Sequence, residues 1–346
     1  MVTLRHRSWA ILCTGLAAAS CTGSGGHSAG TGGAASSTGS SASGSGGADG
    51  ADGGGGRGGG GGRPADPAVN VDLQGRTYDI FVPTGLDAGT AAPLVLELHG
   101  YAPSSQSMTP WLDEEAANQL QPEAQKRGII LVLPHGSLDA STGYFFWNAT
   151  DACCDVSGSG ANDIGYLMAV IADVASKHKV DPQRVFAFGH GNGGFMVNRM
   201  GCDQADKIAG VVSLAGETYL DPSKCAASAP LAFLEVQGDA DMVVAYEGGA
   251  LQGISNLAMA PGALTTTQDW AAKNRCSPKA DLTQPQLSLM TSSAGMPDTT
   301  KFVYDSGCEG NGQTELWTIH LGPYAPVFTA AWAPDVFTFL MAHPKP

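Results

Sequence analysis

Residues 185–194 of the chain are Val185-Phe186-Ala187-Phe188-Gly189-His190-Gly191-Asn192-Gly193-Gly194, and they give the strongest indication of its fold. The first four residues of this stretch are apolar, which is typical of a short buried strand. The glycines that follow predict a tight turn, and a helix is expected from that turn through Met200. A strand, a tight turn and a helix in this order are typical of α/β proteins, in which functional residues lie at the ends of strands.

Strand-like and helix-like segments alternate on both sides of this stretch. Strand patterns occupy residues 76–82, 94–98, 129–133, 211–214, 231–236 and 316–319, and helix patterns occupy residues 164–175 and 331–343. Because continuous apolar strands alternate with amphipathic helices, we predict an α/β fold with a mainly parallel central sheet and helices on both faces. The segments after the strands, namely His99-Gly100, the glycine turn and 239–241, should then meet at one edge of the sheet.

The composition divides the chain into a tether and a folded domain. Of its 346 residues, 43% are apolar, which is ample for a core. Residues 22–63 are almost entirely Gly, Ser, Ala and Thr, and we expect a flexible segment that packs no core. Residues 64–346 are expected to form one domain. The net charge of −14 and the lack of a long basic run argue against nucleic acid as a partner.

The N-terminus has the pattern of an export signal. A positive start at residues 5–7 precedes an apolar stretch from Trp9 to Ala19, which predicts a signal peptide over residues 1–21. Small residues directly before Cys21 resemble a bacterial lipobox, in which the cysteine is acylated, although Ala18 replaces the usual leucine. We therefore expect a lipoprotein of the cell envelope that touches the membrane only through this anchor. The alternative is an ordinary signal peptide and a secreted protein.

The remaining cysteines fit an exported protein. An even number of them suggests disulfides, and no spacing suggests a metal site. Several pairings are open. We expect Cys202–Cys225 and Cys276–Cys308, each closing a modest loop, which leaves Cys153 and Cys154 as a vicinal pair.

A set of short motifs covers nearly all of the predicted domain. They are Leu98-His99-Gly100-Tyr101, Trp147-Asn148-Ala149-Thr150-Asp151-Ala152-Cys153-Cys154, Asp181-Pro182-Gln183-Arg184-Val185, Gly189-His190-Gly191-Asn192-Gly193-Gly194-Phe195-Met196, Ser213-Leu214-Ala215-Gly216, Gly238-Asp239-Ala240-Asp241, Tyr246-Glu247-Gly248-Gly249 and Glu315-Leu316-Trp317-Thr318-Ile319. In this order and spacing they resemble the exported esterases related to polyhydroxybutyrate depolymerases and feruloyl esterases. The resemblance implies an α/β-hydrolase fold, serine carboxylic-ester hydrolase chemistry and no cofactor.

Two catalytic positions depart from that family's pattern. Gly191 stands at the position of the nucleophilic serine, and the best alignment puts Tyr324 at the position of the histidine. Asp241 keeps the position of the acid, with Gln237 and Asp239 replacing its flanking His and Thr. Acyl transfer by this mechanism needs a hydroxyl, a base that deprotonates it and an acid that orients the base. We therefore expect a catalytically impaired protein.

The resemblance implies that the oxyanion region survives in this chain. By resemblance it comprises His99, Gly100, Tyr101 and Asn192, and the backbone N–H groups of Tyr101 and Asn192 would be its donors. A fold of this kind could still bind an ester or a carboxylate, either a small molecule or a polymer.

Other readings of these residues remain open. The protein could be an active ester hydrolase with weak or relocated chemistry, with His320 as the base. It could instead be a structural domain whose pocket has filled in. His190 is also histidine in the family, so a structural role is expected for it. An open pocket at Gly191 would favour ligand binding, and a pocket plugged by Tyr324 would favour the structural reading.

Overall fold

The computed structural model describes residues 73–87, 89–103, 116–254 and 256–346. The predicted signal peptide, Cys21, the glycine-rich tether and the first residues of the predicted domain lie outside these ranges. In the part of the chain that is described, no helix is long and apolar enough to cross a membrane.

An eight-stranded sheet forms the centre of the domain. In chain order, the strands of the whole structure are β1 (Tyr78–Phe81), β2 (Ala92–Leu98), β3 (Ala102–Pro103), β4 (Ile130–Pro134), β5 (Ser137–Asp139), β6 (Tyr144–Phe146), β7 (Val180–His190), β8 (Gly210–Leu214), β9 (Ala232–Gly238), β10 (Thr299–Tyr304) and β11 (Thr314–Ile319). The central sheet has the order β1-β4-β2-β7-β8-β9-β11-β10, and β3, β6 and β5 form a small separate sheet. The inner strands pair in parallel, whereas β1 and β10 pair antiparallel at the two edges.

In the described part of the chain, five α-helices cover the sheet. They are α1 (Ala116–Arg127), α2 (Asp163–Lys177), α3 (Asn192–Gln204), α4 (Ala263–Lys273) and α5 (Trp332–Ala342). Side chains alternate between the two faces along each strand. Leu94 and Leu96 pack with α2, α3 and α4, whereas Val95 and Phe186 pack with α1 and α5. The predicted α/β architecture is thus confirmed, with a hydrophobic core on each face of the sheet.

Three elements of the central architecture have no counterpart among the predictions, namely α1, α4 and β10. The sequence of α4 contains three adjacent threonines, which are weak helix formers. Tertiary packing stabilises this helix instead, because Trp270 stacks on Phe233 at 5.0 Å and donates to Asn198 Oδ1 at 2.8 Å. Strand β7 also starts earlier than predicted, since Val180 pairs with Ala92 ahead of a register shift, and the intervening 182–184 are exposed.

Among the described residues, three disulfides join the cysteines in the predicted pairs. They are Cys153–Cys154, Cys202–Cys225 and Cys276–Cys308. Such bonds persist in oxidising compartments, so they are consistent with export.

Candidate functional site

The turn between β7 and α3 has a backbone that favours glycine. Gly191 has φ +54° and ψ −118°, which is a conformation that residues with a side chain rarely adopt. Its N–H donates to Leu214 O at 2.8 Å, and its carbonyl accepts from the N–H of Phe195 at 2.9 Å. These bonds tie the turn to β8 on one side and to the first turn of α3 on the other.

Tyr324 occupies the space in front of Gly191. A Cβ built on Gly191 would overlap the Tyr324 hydroxyl oxygen and would lie 3.0 Å from Cζ. The tyrosine therefore fills the place that a side chain at position 191 would take. Burial raises the pKa of the Tyr324 hydroxyl above its ordinary value, and the nearby Asp241 carboxylate raises it further. The phenol stays protonated at neutral pH and is a poor base.

His190 packs against Tyr324 and forms a hydrogen bond with its backbone. Its ring lies 4.5 Å from the Tyr324 ring, and its Nε2 donates to the Tyr324 carbonyl oxygen at 3.0 Å. Burial lowers the pKa of His190 to about 4, so the ring is neutral at neutral pH. His190 Nδ1 is buried and has no hydrogen-bond partner among the described residues. The contacts of this ring are consistent with the structural role expected of it.

A cavity of about 470 Å³ opens beside Gly191 and Tyr324. Its wall is mainly apolar and aromatic, and exposed Thr142, Gln252 and Gly253 lie at its mouth. The other lining residues are Tyr101, Tyr144, Cys153, Cys154, Gly191, Asn192, Phe195, Val243, Val244, Leu251, Ile254 and Tyr324. The tyrosine fills only the space of the missing side chain, and the rest of the pocket is open.

Asn192 fixes the cavity wall that carries the vicinal disulfide. Its Oδ1 accepts from the N–H of Trp147 at 2.6 Å, and its Nδ2 donates to the Trp147 carbonyl oxygen at 2.9 Å. The same carbonyl accepts from the N–H of Cys154 at 3.3 Å. The side chain of Asn192 thus positions a loop, while its backbone stands at the first position of α3.

The segment His99-Gly100-Tyr101, which is expected from the sequence to belong to the oxyanion region, lies next to the turn. A Cβ on Gly100 would lie 3.8 Å from the Tyr324 hydroxyl oxygen. His99 Nδ1 donates to the Gly100 carbonyl at 2.6 Å, and Nε2 accepts from the N–H of Gly136 at 2.9 Å. Burial lowers the pKa of His99 to about 4, which keeps the ring neutral in this bridging role.

Asp241 is held by its own loop. Its Oδ1 accepts from the N–H groups of Val243 and Val244 at 2.7 and 3.0 Å, and Oδ2 accepts from Gln237 Nε2 at 3.0 Å. Burial raises the pKa of Asp241, and these hydrogen bonds counteract part of the increase. The acid thus lies close enough to act electrostatically on Tyr324, while its oxygens are engaged by the loop.

His320 is not part of the cavity wall. Its Nδ1 lies 3.0 Å from Asp239 Oδ2, and its Nε2 lies 2.8 Å from Thr300 Oγ1. The structure therefore does not bring this candidate base to Gly191. It places the histidine on the surface, at the end of β11, with its side chain half exposed.

Two buried glutamates were missed by the sequence reasoning. Glu217 and Glu235 are both 0% exposed, and Glu217 accepts from the hydroxyl of Thr266. Burial raises the pKa of each well above its ordinary value, and their mutual repulsion adds to the increase for Glu235. Glu235 follows a run of apolar residues in β9, and its polar character within a buried strand was the available signal.

In the described part of the chain, no group of three or more His, Cys, Asp or Glu side chains is arranged to hold a metal ion.

Comparisons with known proteins point to esterases. No protein-family model matches the chain. Feruloyl esterase B of Piromyces equi is 29% identical over 247 residues, which is 70% of this chain and 41% of that relative. A protein of Nocardia uniformis named as an esterase is 29% identical over 184 residues, 52% of this chain and 50% of its own length. The chain thus spans half or less of the length of these two relatives.

A solved structure supports the same fold. The acetyl xylan esterase of Aspergillus awamori superposes with a TM-score of 0.52 at 12% identity, covering 77% of this chain and 94% of that one. Together with the sheet order, this likeness shows an α/β-hydrolase fold. The sequence relatives show that the chain is similar to feruloyl esterases and other esterases.

Proposed function

We propose that the cavity beside Gly191 binds an ester or a carboxylate, small or at the end of a polymer, without hydrolysing it. One observation carries the proposal. The Tyr324 hydroxyl occupies the side-chain space of position 191, where this fold would need a nucleophile. With a glycine there and a protonated phenol in front of it, the site has neither a nucleophile nor a base.

The geometry around this point supports binding rather than a filled-in pocket. A volume of about 470 Å³ lies within the usual range of small-molecule sites. The apolar wall would take the acyl part of a ligand, and the polar groups at the inner end of the cavity would be the Tyr324 hydroxyl and the backbone N–H of Asn192. An acceptor oxygen of the ligand is therefore expected to face these two residues.

The test is equilibrium binding of butyrate and of p-nitrophenyl butyrate to the purified protein, with hydrolysis followed in parallel. We expect saturable binding, and a rate of p-nitrophenol release that Tyr324→Phe leaves unchanged, because no hydrolysis occurs at the cavity. Tyr324→Phe should weaken the binding of butyrate by about 10-fold or more, since a hydrogen bond to a charged group contributes about 1.5–3 kcal/mol. Thr283→Val, on an exposed loop outside the cavity wall, is the matched control and should bind as the native protein does. Equal affinity of the native and Phe proteins would contradict the proposal.

The proposal includes the cellular location of the chain. We place it in the cell envelope as an exported protein anchored through an acylated Cys21, because small residues precede this cysteine and three disulfides follow in the domain. Labelling of cells with a radioactive fatty acid should mark the native protein and not the Cys21→Ser variant. Equal labelling of the two, or release of the native protein into the medium, would contradict the anchor.

A further inference from the structure

A hydroxyl, an imidazole and a carboxylate line up on the surface at the edge of the sheet. Thr300 lies on the edge strand β10, His320 follows the end of the neighbouring β11, and Asp239 follows the end of β9. His320 bridges the other two, because Nε2 lies 2.8 Å from Thr300 Oγ1 and Nδ1 lies 3.0 Å from Asp239 Oδ2. Both distances are within the range for a nucleophile, its base and the group that orients the base.

The two ring nitrogens of His320 face the partners that general base catalysis requires. With Nδ1–H donating to the Asp239 carboxylate, Nε2 carries the lone pair and faces the Thr300 hydroxyl. This is the tautomer in which a carboxylate-oriented histidine accepts a proton from an alcohol. Asp239 is itself fixed, since its Oδ1 accepts from the N–H of Leu321.

The site is open to a substrate. The His320 side chain is 50% exposed and that of Asp239 is 33% exposed. Leu321, the residue after His320, has φ +57° and a side chain that is 83% exposed. An exposed leucine in a strained backbone conformation next to the imidazole offers an apolar surface for an acyl group.

We propose that Thr300, His320 and Asp239 form a second site, separate from the cavity, that hydrolyses small activated carboxylic esters through an acyl-threonine. Thr300 and His320 are the catalytic residues and Asp239 is a positioning residue. The proposal does not depend on ligand binding at Gly191, because none of these three side chains lines the cavity.

The reaction balances with water as the co-reactant. The Thr300 hydroxyl gives its proton to His320 Nε2 while Oγ1 bonds to the acyl carbon, and the bond from that carbon to the alcohol oxygen breaks. The leaving alkoxide or phenoxide takes the proton from Nε2. Water then gives a proton to Nε2 and bonds to the acyl carbon, and the threonine oxygen leaves and recovers that proton. The products are the carboxylic acid and the alcohol.

The chain contains a matched control. Thr77 Oγ1 lies 2.7 Å from His135 Nδ1, and His135 Nε2 lies 3.1 Å from Asp79 Oδ2. The residue types are the same at the opposite edge strand, but the ring nitrogens are exchanged. Thr77→Val removes a hydroxyl from a similar setting and should leave turnover unchanged.

The experiment measures p-nitrophenyl acetate hydrolysis by the native protein and its variants, with folding checked by circular dichroism. We expect native turnover about 100-fold or more above buffer, in line with general base catalysis. Thr300→Val and His320→Gln should reduce it to the buffer rate, whereas Thr300→Ser should retain it. Asp239→Asn should lower kcat with little change in KM, and Asp239→Glu should restore part of kcat.

Peptide mass spectrometry after rapid acid quenching should find the acetyl group on Thr300. Native turnover equal to buffer, turnover that survives Thr300→Val, or an acetyl group on another residue would each overturn the proposal. Binding of butyrate to the cavity is measured separately, so the two proposals can fail independently.

Discussion

Gly191→Ser tests the mutual fit of the turn and the tyrosine. The new Cβ would overlap the Tyr324 hydroxyl oxygen, and forcing extra atoms into a packed site costs about 1–3 kcal/mol. A second cost of about 1–3 kcal/mol comes from a non-glycine residue at φ +54° and ψ −118°. Gly191→Ser should therefore lower the free energy of unfolding by about 2–6 kcal/mol, a large part of the stability of an ordinary domain.

Only the first cost depends on Tyr324. In a Tyr324→Ala background the overlap is absent, so Gly191→Ser should cost about 1–3 kcal/mol less than it does in the native protein. Urea unfolding of the four proteins in this double-mutant cycle measures the difference. Phe195 and the other neighbours of the turn are unchanged throughout. Additive effects of the two substitutions would refute the reasoning that the tyrosine occupies the side-chain space of position 191.

Further predictions concern activity and pH. In a Thr300→Val background, which removes hydrolysis at the surface site, the variant Gly191→Ser, Tyr324→His should hydrolyse p-nitrophenyl butyrate about 100-fold or more above a Gly191→Ala, Tyr324→His control, because the hydroxyl and the base are both restored. Equal rates would contradict the idea that only these two groups are missing from the pocket. Burial lowers the folded pKa of His190 to about 4 from 6.5. The unfolded chain therefore binds the proton first as pH falls, and unfolding titrations should show that stability relative to His190→Gln declines by about 3 kcal/mol from pH 6.5 to 4. For Glu235 the folded pKa is raised above 4.5, so native stability relative to Glu235→Gln should fall as pH rises above that value; a pH-independent difference would contradict the buried carboxyl pair.

The sequence predicted most of the sheet because its inner strands are buried on both faces. Runs such as Ile129–Leu133 are continuously apolar, and that pattern reveals a buried strand without further context. Strand β10 was missed because it lies at the edge of the sheet and its first three residues, Thr299, Thr300 and Lys301, are polar, so it lacks a continuous apolar run. The helices α1 and α4 were missed because their residues form only weak local helix patterns. Packing against the rest of the domain stabilises these helices, and the sequence alone does not show that packing.

The candidate site could be predicted from the sequence only in part. The resemblance to the esterase family placed Gly191 and Tyr324 at the positions of the catalytic serine and histidine. Nothing in the sequence shows that a side chain at position 191 and the Tyr324 hydroxyl would occupy the same space. The partners of His320 were equally hidden, because Asp239 and Thr300 are far from it along the chain and meet it only through the order β9-β11-β10. The sequence gave only a weak signal for the buried glutamates, namely a polar residue beside apolar ones. The burial and bonding of Glu217 depend on Thr266 of α4, which is distant in the sequence.

The exclusion between a side chain at position 191 and the tyrosine at position 324 also constrains how this lineage can change. In a chain with serine and histidine at these positions, a tyrosine at 324 would overlap the serine, so that replacement alone costs stability. In this chain Gly191→Ser alone costs stability, and Tyr324→His alone restores no nucleophile. Hydrolysis at this turn therefore requires both substitutions, and neither of them gives it alone.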